Sequence, residues 1–182
     1  MKKALSIAAA VLLATGLSVP AYAALEEGDT APVFATQGAL GGETFAFNLR
    51  SALKDGPVVL YFFPKAFTPG CTLEANAFAS TIEEFKAAGA QVVGMSADTL
   101  DELKQFSVKE CGSKFPVAMA SPAVIKAYDV ALVMDGKNTG VTDRTSYVIA
   151  PSGKIVMVHS ELDYKDHVRL TLEAVKKLKA EG

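Results

Sequence analysis

Two cysteines, Cys71 and Cys111, are the residues of this 182-residue chain best suited to covalent chemistry. Cys71 follows a continuous apolar run at 57–63 and a proline-containing loop, and it lies in the first turn of a predicted helix. Unpaired N–H groups and the positive end of the helix dipole favour a thiolate over a thiol at such a place. Because the thiolate is the nucleophilic form of cysteine, we expect Cys71 to act as a nucleophile.

Other side chains are placed to assist Cys71. Thr68 lies three residues earlier, one turn away, so its hydroxyl can reach the same pocket. Pro64 and Pro69 stiffen the loop and remove two N–H donors from it. Arg144 stands directly before a second apolar run, 146–149, and reaches Cys71 if the two strands are neighbours. An isolated arginine is more often a solvated surface residue, so this placement depends on the sheet topology.

The elements that must position these residues follow from hydrophobic periodicity. They are strands at 34–36, 44–47, 57–63, 91–96, 146–149 and 154–159, and helices at 48–53, 69–86, 98–110, 122–128 and 163–180. The strand–helix–strand unit in the middle implies parallel strands with a right-handed crossover. The hairpin at the end adds antiparallel strands. We therefore predict an α/β fold with a mixed central β-sheet flanked by helices on both faces.

The N-terminus resembles an export signal over residues 1–23. Lys2 and Lys3 precede an apolar stretch, and Ala21-Tyr22-Ala23 matches the small-x-small cleavage pattern. The stretch is short for a membrane span, although an uncleaved anchor is the alternative. We predict a signal peptide at 1–23, one domain at 24–182, a periplasmic or secreted location and no membrane contact after cleavage.

Charge and composition exclude several classes of function. Without Lys2 and Lys3, 16 basic residues stand against 20 acidic ones, which is no nucleic-acid-binding footprint. His159 and His167 have no acid–base partner nearby in sequence, and no metal or organic cofactor is expected. Asp98 or Thr99 is expected to cap the third predicted helix, and Asp98 is interpreted as a helix cap and not as a catalytic acid. A single structural disulfide is the simplest alternative for an exported chain with two cysteines.

Four motifs resemble the peroxiredoxins of the AhpC/TSA superfamily. They are Pro64-x-x-x-Thr68-x-x-Cys71, Pro69-Gly-Cys-Thr-x-Glu74, Arg144-Thr-Ser-Tyr-Val-Ile149 and the opening Gly28-Asp-Thr-Ala-Pro-Val-Phe34. The second of them is most similar to the bacterioferritin comigratory protein (PrxQ) branch. The resemblance runs from about residue 28 to residue 175, which is essentially the whole chain after the predicted signal.

The resemblance implies a thioredoxin-like fold and a thiol-dependent peroxidase without a cofactor. Cys71 would be the peroxidatic cysteine, which hydrogen peroxide or an organic hydroperoxide oxidises to a sulfenic acid. Thr68 would bond the peroxide, Pro64 would shield the sulfur, Arg144 would stabilise the thiolate and Glu74 would orient Arg144. A thioredoxin-like protein or another dithiol reductant would be the partner, and the enzyme would be a monomer or a weak dimer.

A second thiol must form a disulfide with oxidised Cys71, and the motifs do not identify this resolving thiol directly. In relatives it lies five positions later, where this chain has Asn76, or in the next helix nearer Ser107, one turn before Cys111. Our hypothesis is that Cys111 resolves Cys71 as an intramolecular disulfide after local unwinding of the helix ends, which Gly112 eases. A bystander thiol and an intermolecular bridge are the alternatives.

Two other functions fit part of the pattern. An exported thioredoxin-like thiol-disulfide oxidoreductase needs Cys-x-x-Cys, but here the residues are Cys71-Thr-Leu-Glu74. Thioredoxins also place a cis-proline before the late strand, where this chain has Arg144-Thr145. A redox sensor or carrier on the same fold would need the same reactive thiolate, and turnover with a reductant separates it from the enzyme.

Overall fold

The computed structural model describes residues 25–181, so the signal predicted at 1–23 lies outside the described residues. The strands are β1 (Ala35–Leu40), β2 (Glu43–Asn48), β3 (Val58–Phe62), β4 (Gln91–Ser96), β5 (Val117–Met119), β6 (Ala131–Met134), β7 (Lys137–Thr142), β8 (Thr145–Ile149) and β9 (Ile155–Ser160). The helices are α1 (Leu49–Ala52), α2 (Pro69–Ala87), α3 (Leu100–Lys109), α4 (Pro122–Ala127) and α5 (His167–Glu181). Within residues 25–181, no helix is long and apolar enough to cross a lipid bilayer.

Seven strands form one mixed sheet in the order β2-β1-β5-β4-β3-β8-β9. The central strand β3 is parallel to β4 and antiparallel to β8. Its five residues are all buried, as expected for a continuous apolar strand covered on both faces. The β3–β8 register pairs Phe62 with Thr145. The end of β3 and the start of β8 therefore meet at one edge of the sheet.

The side chains of β3 alternate between two cores, because successive residues of a strand point to opposite faces. Leu60 and Phe62 pack into the core that α1 and α4 cover. Tyr61, with Phe63 just beyond the strand, packs into the core that α2, α3 and α5 cover. Both cysteines belong to this second core, which we call the cysteine face. The predicted α/β class, with helices on both faces of a mixed sheet, is confirmed.

Some boundaries differ from the sequence prediction. Strands β5, β6 and β7 were not predicted, because β5 has only three residues and most residues of β6 and β7 are exposed or half-buried. The prediction that the last helix begins at 163 was wrong, since α5 begins at His167. The side chain of Asp163 accepts a hydrogen bond from Lys165 N (3.3 Å), and such local bonds compete with helix formation.

The start of α3 is capped by Thr99 and not by Asp98. The Thr99 hydroxyl accepts from Glu102 N (3.3 Å), while the Glu102 carboxylate accepts from Thr99 N (3.0 Å). This reciprocal pair is a capping box, which satisfies two otherwise unpaired donors. Of the two predicted caps, Thr99 is therefore confirmed and Asp98 is not. The buried carboxylate of Asp98 is turned towards the loop that follows β3.

Candidate active site

Cys71 is the third residue of α2 and is almost wholly buried, with 1% of its surface exposed. Thr68 is the N-cap of this helix, but its side chain makes no capping hydrogen bond. The Thr68 hydroxyl instead donates to Lys65 O (2.9 Å) within the loop. The half-buried Pro64 begins that loop directly after Phe63. The positive end of the α2 dipole therefore lies at the turn that carries Cys71.

Arg144 lies against Cys71 because β8 is the neighbour of β3. Its Nη2 atom donates to the sulfur of Cys71 (3.5 Å), and its Nε atom donates to Leu162 O (2.9 Å). A Cβ atom on Gly70 would lie 3.2 Å from Nη2, so glycine leaves room for this approach. Only 5% of Arg144 is exposed. The guanidinium group is thus fixed from several sides with one donor directed at the sulfur.

Glu74 is the buried counter-ion of Arg144. One of its carboxylate oxygens contacts Arg144 Nη1, and no part of the residue is exposed. The other oxygen, Oε1, has no hydrogen-bond partner among the described residues and lies 3.8 Å from His167 Nδ1. Burial raises the pKa of Glu74 above its usual range, and the Arg144 guanidinium opposes that rise. The α2 helix therefore supplies both the thiol and the carboxylate that holds its arginine.

The sequence analysis missed His167 as a neighbour of this group. His167 Nε2 lies 2.9 Å from Glu161 O, and Nδ1 lies 2.8 Å from Ser146 Oγ. A carbonyl oxygen only accepts, so we assign the proton to Nε2, and the neutral ring accepts from Ser146. The available signal was helical spacing, because His167, Thr171 and Val175 share the buried side of α5. The partner residues are too distant in sequence to be recognised.

His167 should make the protein less stable in mild acid. Burial lowers its pKa from 6.5 to about 4, and Arg144 and His159 act in the same direction. The unfolded chain therefore binds this proton at a higher pH than the folded protein, so stability falls as the pH drops from about 6.5 towards 4. Protonation of His167 by itself should cost about 2 kcal/mol of stability between pH 7 and pH 5. Glu74 acts in the opposite direction, because its raised pKa makes the folded protein bind that proton at the higher pH. Denaturant unfolding of the wild type and of a variant without His167, at both pH values, isolates the His167 contribution.

The His167→Gln variant is the control for this prediction, because it cannot be protonated. Its stability deficit relative to the wild type should shrink by about 2 kcal/mol from pH 7 to pH 5. The other titratable groups near His167, which are Glu74, His159 and Asp166, remain in both proteins. A deficit that is the same at both pH values would contradict the prediction.

Cys111 lies just beyond the C-terminus of α3 and is fully buried. Its N–H group donates to Phe106 O (3.1 Å), and its carbonyl accepts from Lys114 N (3.1 Å). Both cysteines are free thiols. Burial raises the pKa of Cys111, so its thiol is a weak nucleophile while it stays in the core. The structure thus brings Cys71, Arg144 and Glu74 together and holds Cys111 as a separate buried thiol on the same face.

The described residues contain no group of three or more histidine, cysteine or acidic side chains that could hold a metal ion. His159 and His167 do meet, with ring centroids 4.5 Å apart in an edge-to-face arrangement. A structural zinc site needs four such ligands in tetrahedral geometry, which this pair does not supply. The chemistry of the site is that of a thiol, a guanidinium group and a buried carboxylate.

Comparison with known proteins identifies the family of the chain. The sequence matches the AhpC/TSA family over residues 28–158. It is 33% identical to the chloroplastic peroxiredoxin Q of Sedum lineare, over 87% of this chain and 82% of that protein. Among solved structures, peroxidoxin BcpB of Mycobacterium tuberculosis superposes with a TM-score of 0.75 at 31% identity, over 85% of this chain and 98% of that one. The bacterioferritin comigratory protein of Xanthomonas campestris gives 0.69 at 31% identity, over 79% and 91%.

The fold and these relatives define the class of protein. It is a thiol peroxidase built on a thioredoxin-like fold, with a cysteine at the start of the helix that follows the central strand. The chain belongs to the AhpC/TSA family, and its relatives are peroxiredoxins of the Bcp and Q types. The resemblance stated from the motifs is thereby confirmed. A peroxide substrate and a thiol reductant follow from membership of this family.

Proposed function

We propose that this peroxiredoxin reduces hydroperoxides with Cys71 as the attacking thiol. The observation that carries the proposal is the bond from Arg144 Nη2 to the Cys71 sulfur at the start of α2. A guanidinium group and a helix N-terminus both favour negative charge on sulfur. Glu74 keeps the guanidinium in place from within the same helix. Cys111, by contrast, has no cation directed at it in any contact of the described residues.

The first step converts a thiolate into a sulfenic acid. The Cys71 thiolate attacks the terminal oxygen of the hydroperoxide, so a sulfur–oxygen bond forms while the oxygen–oxygen bond breaks. Sulfur is oxidised by two electrons. The other oxygen of the peroxide leaves as hydroxide or alkoxide, which takes a proton from solvent. Cys71 then carries a sulfenic acid. No further oxidant is needed, because the peroxide itself is reduced.

Groups around the sulfur stabilise the charge that develops during this step. Arg144 faces both the thiolate and the oxygen that leaves, and donors aimed at developing charge accelerate reactions most. The Thr68 hydroxyl donates a hydrogen bond to Lys65 O. Its oxygen can therefore accept a hydrogen bond from the peroxide. Pro64 has no N–H group and shields the site from water. These are the roles that the resemblance to peroxiredoxins implies, and the position of the residues near the start of α2 supports them.

The second step needs another thiol. We propose that Cys111 attacks the sulfur of oxidised Cys71, so that a disulfide forms and hydroxide leaves, to be protonated to water. Because Cys111 is buried, it must become exposed before it can deprotonate and react. An external dithiol of the thioredoxin type then reduces the bridge with two electrons and is itself oxidised to a disulfide. Given the predicted export signal, this reductant acts in the periplasm or outside the cell.

Both hydrogen peroxide and organic hydroperoxides are proposed as substrates. Phe67 and Leu73 lie within four residues of Cys71 and are exposed by 42% and 49% of their surfaces. Exposed apolar side chains beside a reactive sulfur favour a substrate with a hydrocarbon group. The relative from Xanthomonas campestris is described as having alkyl peroxide reduction activity, which supports the same substrate class here.

One equivalent of hydrogen peroxide should consume both thiols of the reduced protein. We expect thiol titration to fall from two groups to none, and mass spectrometry of digests to find a Cys71–Cys111 bridge within one chain. The Cys111→Ser variant should lose one thiol and carry a sulfenic acid on Cys71. Loss of one thiol in the wild type, with Cys111 still free, would contradict resolution by Cys111. No rapid loss at all would contradict the peroxidase site.

A further inference from the structure

Asp98 ties the loop before Cys71 to the end of β4. Its Oδ2 atom accepts hydrogen bonds from Ala66 N (2.6 Å) and from Ser96 Oγ (2.6 Å). Its Oδ1 atom accepts from Lys65 Nζ (3.0 Å). Asp98 is 8% exposed and Ala66 is 7% exposed, so the bond between them is shielded from water. One carboxylate therefore holds two consecutive residues of the loop.

The segment that Asp98 holds is the one that presents the reactive sulfur. Residues 64–68 lie in the connection from β3 to α2, and they include Pro64 and the N-cap Thr68. Phe67 within this segment has a positive φ of 63°, which is unfavourable for a bulky residue. Its ring contacts Phe106 of α3 edge-on, with centroids 5.3 Å apart. The loop keeps this conformation through its contacts with neighbouring elements. These include charged contacts with Asp98, which binds Lys65 and Ala66, and with Glu102, which lies 3.9 Å from Lys65 Nζ.

The same carboxylate adjoins the helix that leads to Cys111. Asp98 immediately precedes Thr99, the N-cap of α3. At the other end of α3, Phe106 O accepts from the N–H groups of both Glu110 and Cys111. The Cys71 loop and the helix of the second thiol thus share an anchor at Asp98. Movement of one relative to the other strains or breaks the bond to Ala66.

We propose that Asp98 is a positioning residue that holds the 64–68 loop closed for attack on peroxide and must release it before Cys71 and Cys111 can join. The proposal rests on the proposed function and concerns the timing of its second step. Both thiols are buried and free, so a bridge requires opening at one helix end or both. Until the loop opens, a second peroxide oxidises the sulfenic acid to a sulfinic acid and is itself reduced to water or alcohol. Asp98 therefore sets the ratio of disulfide to sulfinic acid.

The test compares Asp98→Asn with Asp101→Asn. Both variants remove one carboxylate near the start of α3, but Asp101 is exposed. An amide in place of the Asp98 carboxylate has one acceptor oxygen instead of two, so an N–H group faces either Lys65 Nζ or the donors of Ala66 and Ser96, and the bonds that remain lose the carboxylate charge. We expect Asp98→Asn to slow the first oxidation of Cys71 about tenfold. At excess peroxide, it should raise the ratio of disulfide to sulfinic acid about tenfold. Each factor is the change that the loss of about one buried hydrogen bond produces. Asp101→Asn should match the wild type in both. The chain has no tryptophan, so acid quenching and mass spectrometry follow the reaction.

Hydrogen exchange of the reduced proteins gives a readout that needs no peroxide. We expect faster exchange over residues 64–72 in Asp98→Asn than in Asp101→Asn, with similar exchange in β8. Ser96→Ala, which removes one donor to Asp98, should change exchange in the same direction by a smaller amount. Unchanged exchange over 64–72, or a uniform loss of stability with an unchanged product ratio, would overturn the proposal. If the wild type lost no thiol to peroxide, the proposed function would fail while exchange still decided the role of Asp98.

Discussion

The Cys71→Ser variant is expected to lose peroxide reduction completely. Serine keeps the shape of the site, but its hydroxyl stays protonated and is a poor nucleophile, whereas Arg144 and the start of α2 stabilise a thiolate. Because enzymes accelerate reactions by about 10⁶-fold or more, loss of the attacking atom should lower kcat/KM by at least about 10⁴-fold. Peroxide consumption in the presence of a dithiol reductant measures this loss.

The matched control for this prediction is Cys111→Ser. It removes the other thiol of the chain and leaves the contacts of Cys71 unchanged. A single equivalent of peroxide should still oxidise Cys71 at the wild-type rate, although turnover with a dithiol should slow. If Cys71→Ser retained turnover and Cys111→Ser abolished the first oxidation, Cys111 and not Cys71 would be the thiol that attacks peroxide.

Much of the fold could be predicted from the sequence because its central elements have strong local patterns. The apolar run that becomes β3 and the periodic segment that becomes α2 are both long and are bounded by proline or glycine. Short or solvent-exposed elements lack such patterns. β5 has three residues, and its place between β1 and β4 depends on long-range pairing. Long-range strand pairing of this kind cannot be recognised from a short stretch of sequence.

The sequence predicted the site residues that lie in recognisable motifs. It did not predict the residues that only tertiary packing brings to the site. Cys71 stands out because a buried strand leads directly into its helix. The contact of Arg144 with Cys71 depends on β8 lying beside β3 in one register, which the chain segments alone do not specify. His167 and Asp98 were interpreted as unremarkable, although one faces the free oxygen of Glu74 and the other holds Ala66. Both contacts join segments far apart in sequence.

Arg144→Ala should damage both the reactivity of Cys71 and the stability of the fold. It removes the donor to the sulfur, and loss of a donor of this kind slows catalysis about 10²- to 10³-fold. It also leaves Glu74 buried without its cation. Removal of one partner of a buried ion pair costs about 3–5 kcal/mol. We therefore expect slow oxidation of Cys71 and a lower unfolding midpoint.

A double variant separates the two effects. In Arg144→Gln with Glu74→Gln, no charge remains unpaired, so most of the lost stability should return while oxidation of Cys71 stays slow. Glu74→Gln alone keeps the guanidinium and should slow oxidation much less than Arg144→Ala. Quenched reactions with peroxide give the rates, and denaturant unfolding gives the stability. If Arg144→Ala left the rate of Cys71 oxidation unchanged, Arg144 would serve only to neutralise Glu74.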